Sequence, residues 1–544
     1  MKKIPIAAEK FLILFLCSLC FLACKNGKDD SDGIFSGDND FTAPTAAELQ
    51  EGWATVAENS LENPEGVREF YQSRAFSPVW NDEELITAFV AELKKAGEEG
   101  LIAEDYYPSE LQNLLESEGE RSEVQRVAVE IRLTDAFLKY ADALFYGKVN
   151  PEELYSLWGL KREKLDPAQV LSSVSGEEDL IAALDSLKPK NPVYSGLKKS
   201  LQEYKTLMAK DSSAVKIKEG ETIKPGDRDN RTADIARRLQ QLGFVQLDSL
   251  ENDSIYGKNL VAAVKRFQKE KGIEPDGVIG NSTLRELNMD YYDLYKKVLV
   301  NLERWRWYPR DLGDHYILVN VADFKLAVVK DGDTVRTHNV IAGSKERQTP
   351  VFTDTLEYIV INPLWNIPPT IEEEDIIPKA SKDPSYLTRN NMTVTAPNGD
   401  VLDPYSIDWS SPEVKDYRYS QSAGPSNPLG RVKIIYPNKY LIYLHDTPSK
   451  ALFNRSDRAE SSGCVRVENA IDLSAYVVES QDDWSLEKIK QQIASGETKH
   501  VKIKRPIQVH HFYWTAWRGL DKTYFAEDVY DLDSEVYKAL TQAP

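Results

Sequence analysis

The chain has 544 residues, a length that exceeds one compact domain and predicts about two to four. Its hydrophobic share of 41% and its charged share of 28% are typical of a soluble globular protein. The formal net charge of −20 argues against DNA or RNA as the main partner, because phosphate binding requires a basic surface.

The N-terminus has the features of an export signal. Basic residues precede an apolar run over residues 11–23, which is too short for a spanning helix and suits a secretory segment. The run ends directly before Cys24, and polar residues follow. This ending resembles a lipoprotein signal, which implies that residues 1–23 are removed and that Cys24 carries the lipid. A plain cleaved signal and an uncleaved anchor are the alternatives. We therefore expect the protein on the periplasmic side of the cell envelope, lipid-anchored to a membrane, with the outer membrane favoured over the inner.

A tether and a helical region follow the signal. Residues 24–45 are rich in Asp, Gly, Ser and Asn and predict a flexible tether. Residues 46–220 contain stretches such as EELITAFVAELKKA, in which apolar residues recur every three or four positions, as in amphipathic helices. No cluster of catalytic residue types stands out there, so we interpret this region as a helical scaffold.

Residues 225–290 form a distinct small unit. The segments LQQLGF, AVKRFQ and DGVIGNSTL space their apolar residues as helices do, and glycines such as Gly257 and Gly277 mark turns between them. The unit resembles the small three-helix peptidoglycan-binding domain found beside many wall enzymes. This resemblance implies that the glycan of peptidoglycan is a partner.

The apolar pattern changes to period two from about residue 315, which predicts a mainly-β domain over residues 300–490. The dipeptide Asp331-Gly332 predicts a hairpin turn within it. The stretch 371–430 is polar, proline-rich and irregular, and so long a loop inside a β domain is typically functional, such as a lid over a site. We interpret residues 491–544 as a strand-rich C-terminal extension.

The cysteines are informative because the chain has so few. They are Cys17, Cys20, Cys24 and Cys464, of which two would leave with the signal and one would carry lipid. Cys464 then remains as an unpaired thiol in an exported protein, which is a liability unless its reactivity is used. A buried, inert thiol is the alternative.

The surroundings of Cys464 favour a reactive thiol. Acyl transfer by a thiol needs a thiolate, a base, a group that orients the base, and donors for the oxyanion. His445 ends the predicted strand KYLIYLH, and Cys464 follows 19 positions later, after Gly463, which permits a tight turn. A helix is expected just after Val467, and its N-terminal amides are expected to face the sulfur and stabilise the thiolate.

The spacing carries a family resemblance. His445, fifteen intervening residues and then Ser461-Ser462-Gly463-Cys464 resemble the signature of the L,D-transpeptidase (YkuD-type) catalytic domain. Ser462 stands where many members have a second histidine, which leaves His445 as the sole candidate base in the motif. The segments NLERWRW, NPLWNIPP and SNPLGRVKIIYPN resemble the large Gram-negative branch, which carries a helical scaffold and a capping insert.

The resemblance implies a role for each residue of the motif. Cys464 is the nucleophile that attacks a peptidoglycan stem peptide and displaces terminal D-Ala, and His445 accepts and returns the proton. The backbone carbonyl of Asp446 orients the imidazole. Tyr443, with the amides of Gly463 and Cys464, lines the oxyanion site. A second stem peptide then takes the acyl group and a 3→3 cross-link forms.

Four further residues are candidates for substrate binding: Arg466, Ser462, Trp365 and Asn366. Arg466 either binds a carboxylate or forms a structural ion pair with an acid such as Glu468, and both interpretations have about equal support. Trp365 and Asn366 are candidates for shaping the cleft, although an aromatic residue after a strand more often belongs to a core.

No cofactor or metal is expected. The chain lacks a His-Glu-x-x-His motif, and His510 and His511 would point to opposite faces of a strand. Two related activities stay open: water as the acceptor gives an L,D-carboxypeptidase, and a D-amino acid gives exchange. A non-catalytic lipoprotein that tethers a membrane to the wall is the alternative from a different class.

Overall fold

The computed structural model describes residues 42–56, 61–117, 120–210, 215–246, 254–479, 481 and 484–542. The predicted signal over residues 1–23, the predicted lipidation site Cys24 and most of the predicted tether over residues 24–45 lie outside these ranges. Within the ranges, none of the helices combines the length and the apolar character needed to cross a membrane.

The N-terminal region is helical, as its apolar spacing predicts. Its longest helix, Glu123–Tyr146, begins with a reciprocal cap in which Ser122 and Gln125 satisfy each other's backbone amides. This helix is buried along most of its length, and the others pack around it. The helices of this region are α1 Ala46–Val56, α2 Pro64–Ser73, α3 Glu83–Lys94, α4 Ser109–Glu116, α5 Glu123–Tyr146, α6 Pro151–Leu154, α7 Pro167–Ser172, α8 Glu177–Leu187 and α9 Pro192–Lys210.

The next unit has three helices and an apolar core of its own. The helices are α10 Thr232–Gln241, α11 Lys258–Glu270 and α12 Asn281–Asn288. Leu239, Val264 and Phe267 are fully buried between them, as their spacing predicts. Polar contacts join the unit to the rest of the chain, including an ion pair between Arg285 and Glu527.

Helix α13, Tyr291–Trp307, connects the other parts of the molecule. Its side chains Glu303, Arg304 and Arg306 are buried, and Arg306 Nη1 donates to Glu303 Oε2 at 2.9 Å. Glu303 Oε1 also accepts the amide of Val149 in the scaffold at 2.7 Å. Arg304 Nη1 donates to Asp533 Oδ1 in the C-terminal tail at 2.6 Å. Buried charges need such partners, so α13 fixes scaffold and tail together.

The C-terminal half is built on a sheet of eleven described strands. The order along the sheet is β14-β5-β10-β11-β13-β3-β2-β1-β15-β4, and β12 pairs with the end of β3. The predicted hairpin is confirmed, since Asp331 and Gly332 both have positive φ between β2 and β3. These strands are β1 His315–Asn320, β2 Lys325–Lys330, β3 Asp333–Gly343, β4 Phe352–Thr355, β5 Tyr358–Ile361, β10 Val432–Ile435, β11 Leu444–His445, β12 Ala459–Ser461, β13 Val465–Val467, β14 Lys499–Lys502 and β15 Gln508–Phe512.

A folded insert interrupts this sheet between β5 and β10. It contains a small sheet with the order β6-β9-β7-β8 and a short helical segment with a π-helical turn at Glu372–Ile376. Its own apolar core includes Trp365, Leu387 and Tyr419. The irregular stretch expected over residues 371–430 is therefore a small folded layer. Its elements are β6 Trp365–Asn366, α14 Pro369–Ile371, α15 Ile377–Lys382, α16 Ser385–Arg389, β7 Met392–Thr395, β8 Val401–Leu402 and β9 Arg418–Gln421.

The C-terminal segment completes the main sheet. Strand β15 pairs in parallel with β1, and β14 pairs with β5, so the sheet extends past residue 490. The remaining elements are α17 Ala470–Val478, α18 Leu486–Ser495, β16 Ala516–Arg518, β17 Thr523–Phe525 and α19 Asp533–Thr541.

We predict that Arg306→Met destabilises the fold, because it leaves the buried carboxylate of Glu303 without its cation. The free energy of unfolding should fall by about 3–5 kcal/mol, measured from the urea transition followed by tryptophan fluorescence. As the control, Arg455→Met removes an exposed pair with Glu460 and should change it by about 1 kcal/mol at most. Equal effects of the two substitutions would contradict this role for α13.

Candidate active site

The pairing of β11 with β13 assembles the site. The two strands run parallel, with Leu444 opposite Val465 and His445 opposite Arg466. Leu444 and Val465 are fully buried in the core. Because side chains alternate between faces, His445 and Arg466 lie on the opposite face, together with Cys464 at the start of β13. The predicted nucleophile and base therefore share one face of the sheet.

His445 is held by the next carbonyl along the chain. Its Nδ1 lies 2.5 Å from the carbonyl oxygen of Asp446, which was the expected orienting group. A carbonyl can only accept, so Nδ1 carries the proton and Nε2 is left as the base. Burial lowers the pKa of His445 to about 3, and the nearby charge of Arg466 acts in the same direction. The imidazole is therefore neutral at physiological pH.

Cys464 is half-buried, and its thiol donates to the carbonyl of Leu441 at 3.7 Å. Within the described part of the chain, no hydrogen bond joins Cys464 to His445. Burial raises the pKa of the Cys464 thiol, while the backbone and hydroxyl of Tyr443 and the charges of Lys433 and Arg466 oppose that rise. The thiol is therefore protonated in the resting site, and the site contains groups that favour its anion.

The turn before Cys464 depends on glycine. Gly463 has a φ of +103°, and a Cβ there would lie 3.2 Å from the side chain of Ile442. The Gly463 amide donates to Ser461 Oγ at 3.1 Å, and its carbonyl accepts from Thr349 Oγ1 at 2.8 Å. The expectation that the Gly463 amide faces an oxyanion is therefore not favoured, because that amide already has an acceptor.

The Cys464 amide remains as an oxyanion donor. Among the described residues no acceptor is paired with this amide, although the Cys464 carbonyl accepts from Ser461 Oγ at 2.6 Å. The Tyr443 hydroxyl lies beside the sulfur and raises no steric barrier to a second donor there. The site thus offers one free backbone amide and one phenol next to the thiol.

The expectation that a helix N-terminus faces the sulfur is wrong. Strand β13 follows Cys464 directly, and α17 begins only at Ala470. Each strand residue advances the chain by about 3.3 Å, so the three residues of β13 carry the chain about 10 Å away before the helix starts. The helix dipole fades within its first turn and does not act on Cys464 at that distance.

Arg466 has no acidic partner within reach. Glu468 instead accepts from the amide of Asn339 at 2.7 Å, and no described carboxylate lies within 4.0 Å of the Arg466 guanidinium. The predicted ion pair between Arg466 and Glu468 is therefore absent. A half-buried guanidinium without a counterion on the face of the nucleophile is suited to binding an anionic ligand group.

The other three candidates lie at the border with the insert. Ser462 is exposed, and its Oγ accepts from Arg347 Nη1 at 2.9 Å. Trp365 belongs to the core of the insert, and its indole adjoins the Tyr443 hydroxyl. Asn366 is exposed, with its strand β6 paired to β9. Trp365 thus contacts the site from the core, whereas Asn366 only lines the surface.

Two residues that the sequence did not single out belong to this site. Arg347 links the catalytic turn to the insert, because it contacts Ser462 and also forms ion pairs with Glu374 and Asp375. Lys433 on β10 lies opposite His445 in the sheet. The alternation in GRVKIIYP places Lys433 between buried Val432 and Ile434, which was the available signal for its position.

The two C-terminal histidines have structural partners. His510 contacts the carbonyl of Leu312 at 3.0 Å, and His511 contacts the hydroxyl of Tyr436 at 2.9 Å. Both are buried on β15, and burial lowers the pKa of each imidazole, to about 4 and about 3 respectively. They stabilise the sheet in their neutral forms.

Three family models match the chain. The scaffold domain model matches residues 65–201, and the "Putative peptidoglycan binding domain" model matches residues 228–287. The L,D-transpeptidase catalytic domain model (YkuD) matches residues 314–493. The chain therefore contains these three domains, and the predicted fold class of helical scaffold, peptidoglycan-binding domain and mainly-β catalytic domain is confirmed.

Individual proteins are similar over parts of the chain. A protein of Haemophilus influenzae named "Putative L,D-transpeptidase" is 38% identical over 245 residues, 45% of this chain and 49% of that protein. The amidase CwlM of Mycobacterium tuberculosis is 26% identical over 132 residues, 23% of this chain and 32% of that protein. The match thus spans about half the length of the first relative. The solved L,D-transpeptidase (Yku) of Stackebrandtia nassauensis is 13% identical, with a TM-score of 0.20 over 55% of this chain and 97% of that chain.

We predict that Gly463→Ala lowers turnover by at least about tenfold, because an L-residue at this φ displaces the turn that positions Cys464. Release of D-Ala from a disaccharide tetrapeptide measures it. Gly399→Ala is the matched control, since Gly399 has a similar φ of +93° but lies in the insert with nothing within 4 Å. If both variants kept wild-type turnover, the turn would not position the thiol.

Proposed function

We propose that this protein, whose residues 314–493 form an L,D-transpeptidase catalytic domain, forms 3→3 cross-links in peptidoglycan through an acyl-enzyme on Cys464 and releases D-Ala. One observation supports this most directly: Cys464 and His445 lie on the same face of two paired strands within that domain. A thiol beside an orientable imidazole is the arrangement that nucleophilic acyl transfer requires.

The first half of the reaction forms the acyl-enzyme. The thiol turns from the Leu441 carbonyl towards His445, and Nε2 takes its proton as the sulfur attacks the carbonyl that precedes D-Ala. The C–N bond then breaks, and the imidazolium gives the proton to the leaving amine. Because the resting thiol has a raised pKa and the imidazole a lowered one, the proton moves during the attack and not before it.

Charge on the tetrahedral intermediate needs hydrogen-bond donors. The free amide of Cys464 and the hydroxyl of Tyr443 supply them in this proposal. Removing one such donor typically costs about 3 kcal/mol in the barrier, so two donors account for a large part of the rate enhancement.

The second half transfers the acyl group. The side-chain amine of a second stem peptide attacks the thioester, His445 takes the proton from that amine, and the thiolate leaves and is reprotonated. The acceptor decides the product: an amine gives the cross-link, water gives an L,D-carboxypeptidase product, and a D-amino acid gives exchange.

Substrate binding is shared between domains. Arg466 holds a stem-peptide carboxylate, for which its lack of an acidic partner speaks. The peptidoglycan-binding domain holds the wall near the catalytic domain. A lipid on Cys24 keeps the protein at a membrane on the periplasmic side, as the export signal suggests.

We predict that Cys464→Ala abolishes release of D-Ala from disaccharide tetrapeptides, because no other described thiol can replace it. Mass analysis of the wild-type products should reveal 3→3 dimers. Far-UV circular dichroism and binding to isolated sacculi should match the wild type. Undiminished turnover would rule out the cysteine mechanism, and sacculus binding without turnover in the wild type would favour a tether.

We also predict that a carbapenem acylates Cys464. The sulfur opens the β-lactam without loss of a leaving group, so the mass of the Cys464 peptide should rise by the mass of the intact drug. The Cys464→Ala variant should gain no adduct. If folded wild-type protein stayed unmodified, a reactive thiol at this position would be contradicted.

A further inference from the structure

Lys433 occupies an unusual position for a lysine. It lies on β10, directly opposite His445 on β11, while its neighbours Val432 and Ile434 are buried in the core. The side chain therefore lies on the face that carries Cys464. Its Nζ sits 3.5 Å from the centre of the Tyr443 ring.

The ammonium of Lys433 has no carboxylate partner. Among the described residues, no acid lies within 4.0 Å of its Nζ, although most other half-buried lysines and arginines of the chain have one. Burial lowers the pKa of Lys433 to about 8, and the charge that opposes this shift is the Cys464 thiolate. A buried cation requires an anion nearby, and the sulfur is the group that can become one.

The groups around Lys433 point to the same pairing. From β11, Tyr443 and His445 face it, and His445 is neutral. From β13, Cys464 and the cation Arg466 contribute. On the other side, β5 places the apolar Val360 opposite Lys433. The thiol is therefore the one group of this set that can carry negative charge at neutral pH without a large cost.

We propose that Lys433 is a positioning residue that stabilises the thiolate of Cys464 through its charge and through the Tyr443 ring on which it rests. This inference depends on the proposed nucleophile. It explains how a half-buried thiol without a helix N-terminus nearby becomes reactive: the cation supplies the field that the helix would have supplied.

The two cations of the site act on different steps. Arg466 has room for a ligand carboxylate, while Lys433 is held over Tyr443 and next to the sulfur. Both disfavour the imidazolium form of His445, so the proton that His445 takes from the thiol is readily passed to the leaving amine. Lys433 thereby favours the thiolate and also favours rapid proton return.

The test is the pH profile of iodoacetamide alkylation at Cys464 in the full-length protein. The label is quantified on the tryptic peptide AESSGCVR, which separates it from the other cysteines. Lys433→Met should move the midpoint to higher pH by about one unit, a rate loss of about tenfold below the midpoint. Lys433→Arg, which keeps the charge, should restore most of the rate.

The control is Lys439→Met. Lys439 is exposed and also lies over a tyrosine ring, that of Tyr440, at 4.9 Å, but it is not part of the cysteine face. Its loss should leave the alkylation profile unchanged. Lys433→Gln serves as a second neutral variant where the methionine variant does not fold.

Three outcomes separate the ideas. A raised midpoint in the neutral variants, with rescue by arginine, supports the inference. An unchanged midpoint with a raised KM for tetrapeptide would assign Lys433 to a substrate carboxylate and overturn it. No alkylation of Cys464 at any pH in the folded wild type would instead reject the nucleophile itself.

Discussion

The buried charges of α13 are the constraint on which the rest of the molecule depends. Arg306 and Glu303 neutralise each other on one turn of this helix, and Glu303 then binds the scaffold through the Val149 amide. Arg304 reaches the C-terminal tail through Asp533. Buried ions are costly unless every partner is present, so scaffold, helix and tail must assemble together. The motif NLERWRW therefore marks a junction between domains, and its arginines have no part in the chemistry.

The catalytic face depends on a second constraint, the register between β11 and β13. A shift of one residue would move His445 and Arg466 into the core and expose Leu444 and Val465. The core side chains thus determine which residues face the substrate. Burial then sets the resting protonation, because it disfavours both the thiolate and the imidazolium. The neutral pair is stable alone and becomes reactive only when a substrate supplies the developing oxyanion.

Local patterns in the sequence were sufficient for the elements and for the pair His445 and Cys464. Alternation predicted the strands, and the spacing of the motif placed base and nucleophile together. What failed depended on three residues, since Val465–Val467 is too short a strand to be distinguished from the start of a helix. Lys433 and Arg347 were missed for a different reason: each acquires its partners only through strand pairing or through the folded insert. Such contacts have no periodicity that a sequence can display.

Two structural layers converge on the sulfur from outside the catalytic sheet. The insert reaches it through Tyr443, which packs partly on the insert core and adjoins both Trp365 and the thiol. The scaffold reaches it through Tyr440, whose hydroxyl donates to the Trp158 carbonyl at 2.6 Å and whose neighbour Leu441 accepts the thiol proton. A movement of either layer therefore alters the surroundings of the thiol directly. The long chain around a small catalytic unit is, on this argument, part of what determines when Cys464 ionises.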